Sequence, residues 1–183
     1  MIPLVVILFY LPYSWSDPAA ATVFILAAVT DSLDGYLARR LGQISALGAF
    51  LDPVADKLMV ATALILVVSH DPPHLEFIRF DPHLLIAVTA TVIIGREITI
   101  SALREWMAEL GARGKVAVSS LGKIKTIFQM TGLSMMLFHS DVWFIPAFEL
   151  GLYCLVIAAA LTLWSMVVYL RAAWPALSES STR

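Results

Sequence analysis

Residues 31–56 of the 183-residue chain read D-S-L-D-G-Y-L-A-R-R-L-G-Q-I-S-A-L-G-A-F-L-D-P-V-A-D, and this stretch decides how the rest is interpreted. Asp31 and Asp34 are three residues apart and therefore share one face of a helix. Asp52 and Asp56 are four residues apart and share a face of the next helix. Because only a short loop joins the two helices, we expect the four carboxylates to converge at one end of a helical hairpin.

The sequence around this hairpin is strongly apolar. Hydrophobic residues make up 60% of the chain and charged residues 14%, against about 25% charged residues in an average soluble domain. The net charge of −2 gives no indication of nucleic-acid binding, and the single cysteine excludes an intramolecular disulfide. Five apolar stretches reach the roughly 20 residues that a helix needs to cross a bilayer: 18–39, 46–69, 82–108, 117–138 and 145–171.

A sixth apolar segment, residues 2–12, is too short to cross, and we expect it to be the outer end of a helix that starts upstream. Basic residues, among them Arg39 and Arg40, are concentrated on one side of the spans, and the positive-inside rule places that side in the cytoplasm. The sequence therefore predicts an all-α integral membrane protein. Its single domain would be a six-transmembrane-helix bundle over residues 1–174, followed by a short polar tail over 175–183.

The positions of the four aspartates inside apolar stretches carry a large free-energy cost. An acidic residue inside a span costs about 2.5–3.5 kcal/mol, and only Arg39, Arg40 and Lys57 are close to them in sequence. Clustered carboxylates without a nearby thiolate or imidazole favour a hard cation, Mg²⁺ or Mn²⁺. Four carboxylates can hold two such ions about 3.5–4 Å apart, which suits phosphoryl chemistry. The alternative is a structural network of ion pairs, which the small number of basic partners disfavours.

Eight positions of the stretch fit the pattern D-x2-D-G-x2-A-R-x8-G-x3-D-x3-D: Asp31, Asp34, Gly35, Ala38, Arg39, Gly48, Asp52 and Asp56. This pattern resembles the signature of the CDP-alcohol phosphotransferases, and segments 96–106 and 120–126 resemble the bacterial members that use glycerol phosphate. The resemblance implies a CDP-alcohol phosphotransferase fold and transfer of a phosphatidyl group from CDP-diacylglycerol to sn-glycerol 3-phosphate. CMP is released, and the product enters phosphatidylglycerol and cardiolipin biosynthesis. The resemblance also implies a homodimer in the bacterial inner membrane, with its active site facing the cytoplasm.

The same resemblance implies roles for individual residues. The four aspartates would bind two divalent cations per active site, and Asp56 would also accept the proton of the attacking hydroxyl. CDP-diacylglycerol would be bound by five residues in and beside the signature: Gly35, Ala38, Arg39, Ser45 and Gly48.

The phosphate of the acceptor requires fixed cations. The inner halves of two spans supply four candidates: Arg96, Arg104, Lys123 and Lys125. An arginine can hold phosphate through two hydrogen bonds, whereas a lysine contributes a point charge. Glu97 lies seven residues before Arg104 on nearly the same helix face, so a structural pair is the alternative for that arginine. For the lysines the alternative is extension toward anionic headgroups. Tyr169 fits an interfacial aromatic belt, and packing against its neighbours is the alternative.

Other interpretations stay open at this point. The signature does not determine the acceptor, which could instead be inositol phosphate, serine or phosphatidylglycerol. Divalent-metal transporters also place acidic residues inside spans, but the outer halves of these spans, such as 61–68 and 84–92, are almost entirely apolar. His70 and His74 have the spacing of a metal pair, but they lie in an outer loop away from the aspartates, and we do not expect them to bind metal.

Overall fold

The computed structural model describes residues 1–42, 46–73, 75, 81–109, 120–139 and 145–180. Side chains are described for these residues except 39, 46–47, 49–50, 52, 120–123, 172–173 and 175–180. Six α-helices run through this part of the chain: α1 (Ile2–Phe9), α2 (Ser16–Leu41), α3 (Ala46–Ser69), α4 (Pro82–Glu109), α5 (Ser120–Phe138) and α6 (Ala147–Ser180). The prediction of an all-helical fold is thereby confirmed.

Three described helices are long and apolar enough to cross a membrane, by length and composition: Ser16–Ala38 in α2, Pro82–Glu109 in α4 and Ala147–Arg171 in α6. The hairpin that carries the signature is formed by α2 and α3. The first of these helices ends at Gly42, whose φ of +66° lies in the left-handed region that glycine adopts at low cost. The second helix contains Pro53 and continues through it to Ser69.

The core is formed by apolar side chains from all six helices. Among its fully buried members are Phe24, Leu64, Ile93, Leu133 and Leu152. A close contact joins α5 to α6, where glycines face each other: a Cβ added at Gly151 would lie 2.8 Å from the carbonyl oxygen of Gly132. Small residues allow this approach because no side chain separates the two backbones. The packing fixes α5 and α6 against each other.

A cluster of aromatic and histidine rings lies near the end of α5. His139 directly follows that helix with a φ of 57°, and its ring centroid lies 4.7 Å from that of His70. His139 also packs edge-on against Phe148, and His70 against Phe9. His74, the second member of the spacing considered for a metal pair, lies outside the described residues.

Candidate active site

One cavity of about 580 Å³ is lined by residues from α2, α3, α4, α5 and α6. Its lining contains two aspartates from the signature hairpin, Asp31 and Asp56. It also contains four basic residues: Lys57, Arg96, Arg104 and Lys125. The fold therefore brings carboxylates and cations from distant parts of the sequence to one polar space inside an apolar protein.

The carboxylates come from the two helices of the hairpin. Asp31 on α2 and Asp56 on α3 are exposed and line the same cavity. Asp34 is also exposed, one turn beyond Asp31 toward the end of α2, and it is not among the described lining residues. No described lysine or arginine lies within 4 Å of Asp31 or Asp34. Both carboxylates are exposed to solvent on the described part of α2.

The remaining signature residues follow the same hairpin. Gly35 and Ala38 are half-buried on α2, and Gly48 is half-buried on α3. Ser45 lies outside the described residues, as do the side chains of Arg39 and Asp52. The described side chains contain no group of three or more histidines, cysteines, aspartates or glutamates close enough to hold a metal ion. The donor set nevertheless fits a hard divalent cation, because exposed carboxylates of Asp31 and Asp56 share the cavity.

The cations Arg96 and Lys125 are joined through a shared carboxylate. Oε1 of Glu97 accepts a hydrogen bond from Nη1 of Arg96 at 3.2 Å and another from Nζ of Lys125. The side chains of Arg96 and Lys125 are each 7% exposed. For Lys125 the alternative of extension toward headgroups is therefore wrong, because its buried ammonium is directed to the partly buried carboxylate of Glu97. The side chain of Lys123 lies outside the described part of the chain.

Arg104 is held by α6 rather than by Glu97. Its Nη2 donates a hydrogen bond of 3.2 Å to the hydroxyl of Tyr169, and its guanidinium carbon lies 5.3 Å from the centre of that ring. The expected alternative, a Glu97–Arg104 pair, is wrong because the carboxylate is directed to Arg96 and Lys125. Tyr169 is buried and lines the cavity, which is the packing against neighbours given as the alternative to an interfacial belt.

Three contributions to the site were missed by sequence reasoning. Ser165, one turn before Tyr169 on α6, accepts a hydrogen bond of 2.6 Å from Nη2 of Arg96. Lys57, next to Asp56, reaches across to α4 and donates to Oγ of Ser101. Gln129, one turn after Lys125 on α5, is buried against the cavity. The sequence does contain a signal for Gln129 and Ser165. Each lies four residues from another polar residue on an otherwise apolar helix, at 125 and 129 and at 165 and 169.

The sequence model of the family described as CDP-alcohol phosphatidyltransferase matches residues 1–169. The CDP-diacylglycerol--glycerol-3-phosphate 3-phosphatidyltransferase of Escherichia coli (strain K12) is 50% identical over 173 residues, which cover 94% of this chain and 88% of that protein. The protein of the same name from Pseudomonas fluorescens is 52% identical over 188 residues, which cover 100% of this chain and 89% of that protein. A third protein of this name, from Shigella sonnei (strain Ss046), is 50% identical over 173 residues, which cover 94% of this chain and 88% of that protein.

Proposed function

Because the chain belongs to the CDP-alcohol phosphatidyltransferase family, we propose that it transfers the phosphatidyl group of CDP-diacylglycerol to sn-glycerol 3-phosphate and releases CMP. One observation carries the proposal. The cavity that contains Asp31 and Asp56 of the signature also contains Arg96, Arg104 and Lys125. A phosphorylated acceptor needs both a carboxylate to take its hydroxyl proton and fixed cations to bind its phosphate, and this cavity offers both.

The carboxylate side of the cavity would serve the donor. Asp31, Asp34, Asp52 and Asp56 would hold two Mg²⁺ or Mn²⁺ ions, which stabilise negative charge on the attacking and leaving oxygens of a phosphoryl transfer. Asp56 would also accept the proton of the attacking glycerol hydroxyl. The signature residues beside the aspartates would bind CDP-diacylglycerol: Gly35, Ala38, Arg39, Ser45 and Gly48.

The cationic side of the cavity would bind the acceptor. Arg96, Arg104 and Lys125 line it, and Lys123 belongs to the same helix as Lys125. Ser165 and Tyr169 hold the two arginines from α6, so little side-chain entropy remains to be lost when a phosphate binds. Fixed guanidinium groups can present paired N–H donors to phosphate oxygens.

The membrane arrangement follows from the same proposal. We place six spans across the bacterial inner membrane in one domain over residues 1–174: α3 and α5 cross alongside the three apolar helices, and α1 forms part of the remaining span. At about 1.5 Å per residue, the 24 residues of α3 exceed the thickness of a bilayer core, which is about 30 Å. The cavity opens toward the cytoplasm, where a water-soluble acceptor is available, and the donor enters from the lipid. The enzyme acts as a homodimer.

The test is CMP release by the purified chain in mixed micelles containing CDP-diacylglycerol, with sn-glycerol 3-phosphate and MgCl₂. We expect turnover that disappears when EDTA is added and returns when Mg²⁺ or Mn²⁺ is restored. Parallel reactions contain inositol phosphate, serine or phosphatidylglycerol as the acceptor. Turnover with one of these and none with glycerol 3-phosphate would overturn the proposed acceptor, and Mg²⁺ uptake by proteoliposomes without CMP release would overturn the enzyme class.

A further inference from the structure

Gln129 has a buried acceptor atom that nothing in the described structure satisfies. Its side chain is 4% exposed, it lines the cavity, and Oε1 has no hydrogen-bond partner among the described residues. It follows Lys125 by four residues on α5, so the amide and the ammonium lie one turn apart on the same helix face. Buried polar atoms in folded proteins are nearly always paired, so this carbonyl oxygen indicates a donor that the described residues do not supply.

Arg96 presents the complementary situation on the same cavity. Its Nε is buried and has no acceptor among the described residues, although its two terminal nitrogens are bound to Glu97 and Ser165. Among the described residues, the cavity lining therefore includes one N–H donor and one carbonyl acceptor without partners. A ligand that carries an anionic oxygen and a hydroxyl group offers a partner of the matching kind to each atom.

We propose that Gln129 is a specificity-determining residue, whose Oε1 accepts a hydrogen bond from the middle, non-reacting hydroxyl of the glycerol phosphate acceptor. This inference rests on the proposed function, which supplies the acceptor. A neutral amide accepts a hydrogen bond but does not take up a proton, which suits it to the hydroxyl that does not react. The middle carbon is also closer to the phosphate than the reacting end carbon is, and Gln129 lies one turn from the proposed phosphate ligand Lys125.

The consequence is discrimination between acceptors that differ by one hydroxyl. A site built to bind a hydroxyl rejects the analogue without it, because the buried protein group is then left unpaired. The matching probe is 3-hydroxypropyl phosphate, which keeps the phosphate and the reacting terminal hydroxyl but lacks the middle one. We expect the wild-type chain to prefer sn-glycerol 3-phosphate over this probe by about 10- to 100-fold in kcat/KM.

The experiment measures kcat/KM for both acceptors with the wild-type chain, Gln129→Met and Ser134→Ala. Methionine keeps the unbranched shape of glutamine and removes the amide, so we expect Gln129→Met to lower kcat/KM for glycerol 3-phosphate and leave that for the probe unchanged. The ratio of kcat/KM for glycerol 3-phosphate to kcat/KM for the probe then falls close to one. Ser134 lies on the same helix outside the cavity and bonds to the carbonyl of Met130, and its variant should keep the wild-type preference.

The outcomes separate the two proposals. If the wild-type chain uses both acceptors equally well, or if Gln129→Met keeps the wild-type preference, the role of Gln129 is overturned while the proposed function stands. If Gln129→Met does not fold, equal use of both acceptors by the wild-type chain still overturns the role of Gln129, and Gln129→Leu repeats the comparison. If the wild-type chain releases no CMP with either acceptor under conditions that support turnover with another alcohol, the proposed function itself has failed.

Discussion

Nη2 of Arg96 on α4 donates a hydrogen bond of 2.6 Å to Oγ of Ser165 on α6, and both side chains are buried. A guanidinium is planar, so a bond at one nitrogen fixes the directions of its other N–H groups. Nη1 is held at the same time by Glu97. Ser165 therefore acts as a positioning residue: it sets the orientation in which Arg96 would meet the acceptor phosphate.

Ser165→Ala should raise the KM for sn-glycerol 3-phosphate about 5- to 10-fold, because the arginine loses one hydrogen bond worth on the order of 1 kcal/mol. The kcat should change little, since the reacting atoms and the carboxylates are untouched. Steady-state CMP release at saturating CDP-diacylglycerol provides both constants. Thr91→Ala on the exposed face of α4 is the control, because that hydroxyl bonds only within its own helix. An unchanged KM in Ser165→Ala would contradict a positioning role for Ser165.

Glu97→Gln should destabilise the protein, because Glu97 is the shared anionic partner of two buried cations. Removing one partner from a buried ion pair costs about 3–5 kcal/mol, since the remaining charge is left unpaired. The unfolding midpoint in detergent should fall, and the double variant Glu97→Gln, Lys125→Met should regain part of the loss because it carries one unpaired charge fewer. Glu105→Gln, exposed on the same helix, should match the wild type. A Glu97→Gln midpoint equal to that of Glu105→Gln would contradict a stabilising role.

Much of the candidate site could be predicted from the sequence because a charged residue in an apolar helix carries a large free-energy cost. Asp31 and Asp56, and likewise Arg96 and Lys125, stand out against apolar neighbours, and the structure places all four on one cavity. Ser165 and Tyr169 carry a weaker signal, their spacing of four on an apolar helix, because a serine or a tyrosine is tolerated there. The sequence does not identify their partners, which are arginines 69 and 65 residues away in the chain.

Local spacing also gave the wrong partner for Glu97. On α4 alone, the seven-residue separation favours Arg104, but Lys125 on α5 approaches the carboxylate 28 residues later in the sequence. Spacing along one helix states which residues share a face, not which neighbouring helix packs on that face. The two-metal arrangement remains a prediction, since the side chain of Asp52 lies outside the described part of the chain.

Asp56→Asn should reduce CMP release by 100-fold or more at every Mg²⁺ concentration, because general-base catalysis contributes about 10²–10⁴-fold. Asp31→Asn should shift the Mg²⁺ concentration that gives half-maximal activity upward, since it removes a ligand oxygen without removing the base. Titration of each variant with MgCl₂ distinguishes the two effects. Glu109→Gln at the exposed end of α4 serves as the control. Near-normal turnover of Asp56→Asn would remove Asp56 from the role of base.

The stability of the fold should depend on pH through His139, which follows the end of α5. Burial lowers the pKa of His139 below its ordinary value of about 6.5. Its neighbour His70 lowers this pKa further, and Asp17 opposes both effects. The unfolded chain therefore binds a proton at a higher pH than the folded chain does, so stability is complete above about pH 6.5 and is lost as the pH falls toward the lowered pKa.

Unfolding midpoints in detergent between pH 5 and 8 test this expectation. The wild type should lose more stability on acidification than His139→Asn, a variant that does not titrate in this range and that tolerates the left-handed backbone of residue 139. His83→Asn is the control, because His83 is exposed and lies beside Asp71 rather than in the ring cluster. Parallel pH profiles for the wild type and His139→Asn would rule out His139 as the source of the dependence.

Gly151→Ala should destabilise the contact between α5 and α6, because the added Cβ would lie 2.8 Å from the carbonyl oxygen of Gly132 and 2.9 Å from Cβ of Met135. Neither atom belongs to the far end of a flexible side chain, so the helices must separate, at a cost of about 1–3 kcal/mol. Gly95→Ala is the matched control: a Cβ there meets no atom within 4 Å, and alanine favours the helix by up to roughly 1 kcal/mol over glycine. In thermal unfolding, Gly151→Ala should therefore melt below the wild type and Gly95→Ala at or above it. Equal midpoints for the two variants would show that this close approach is not what holds α5 against α6.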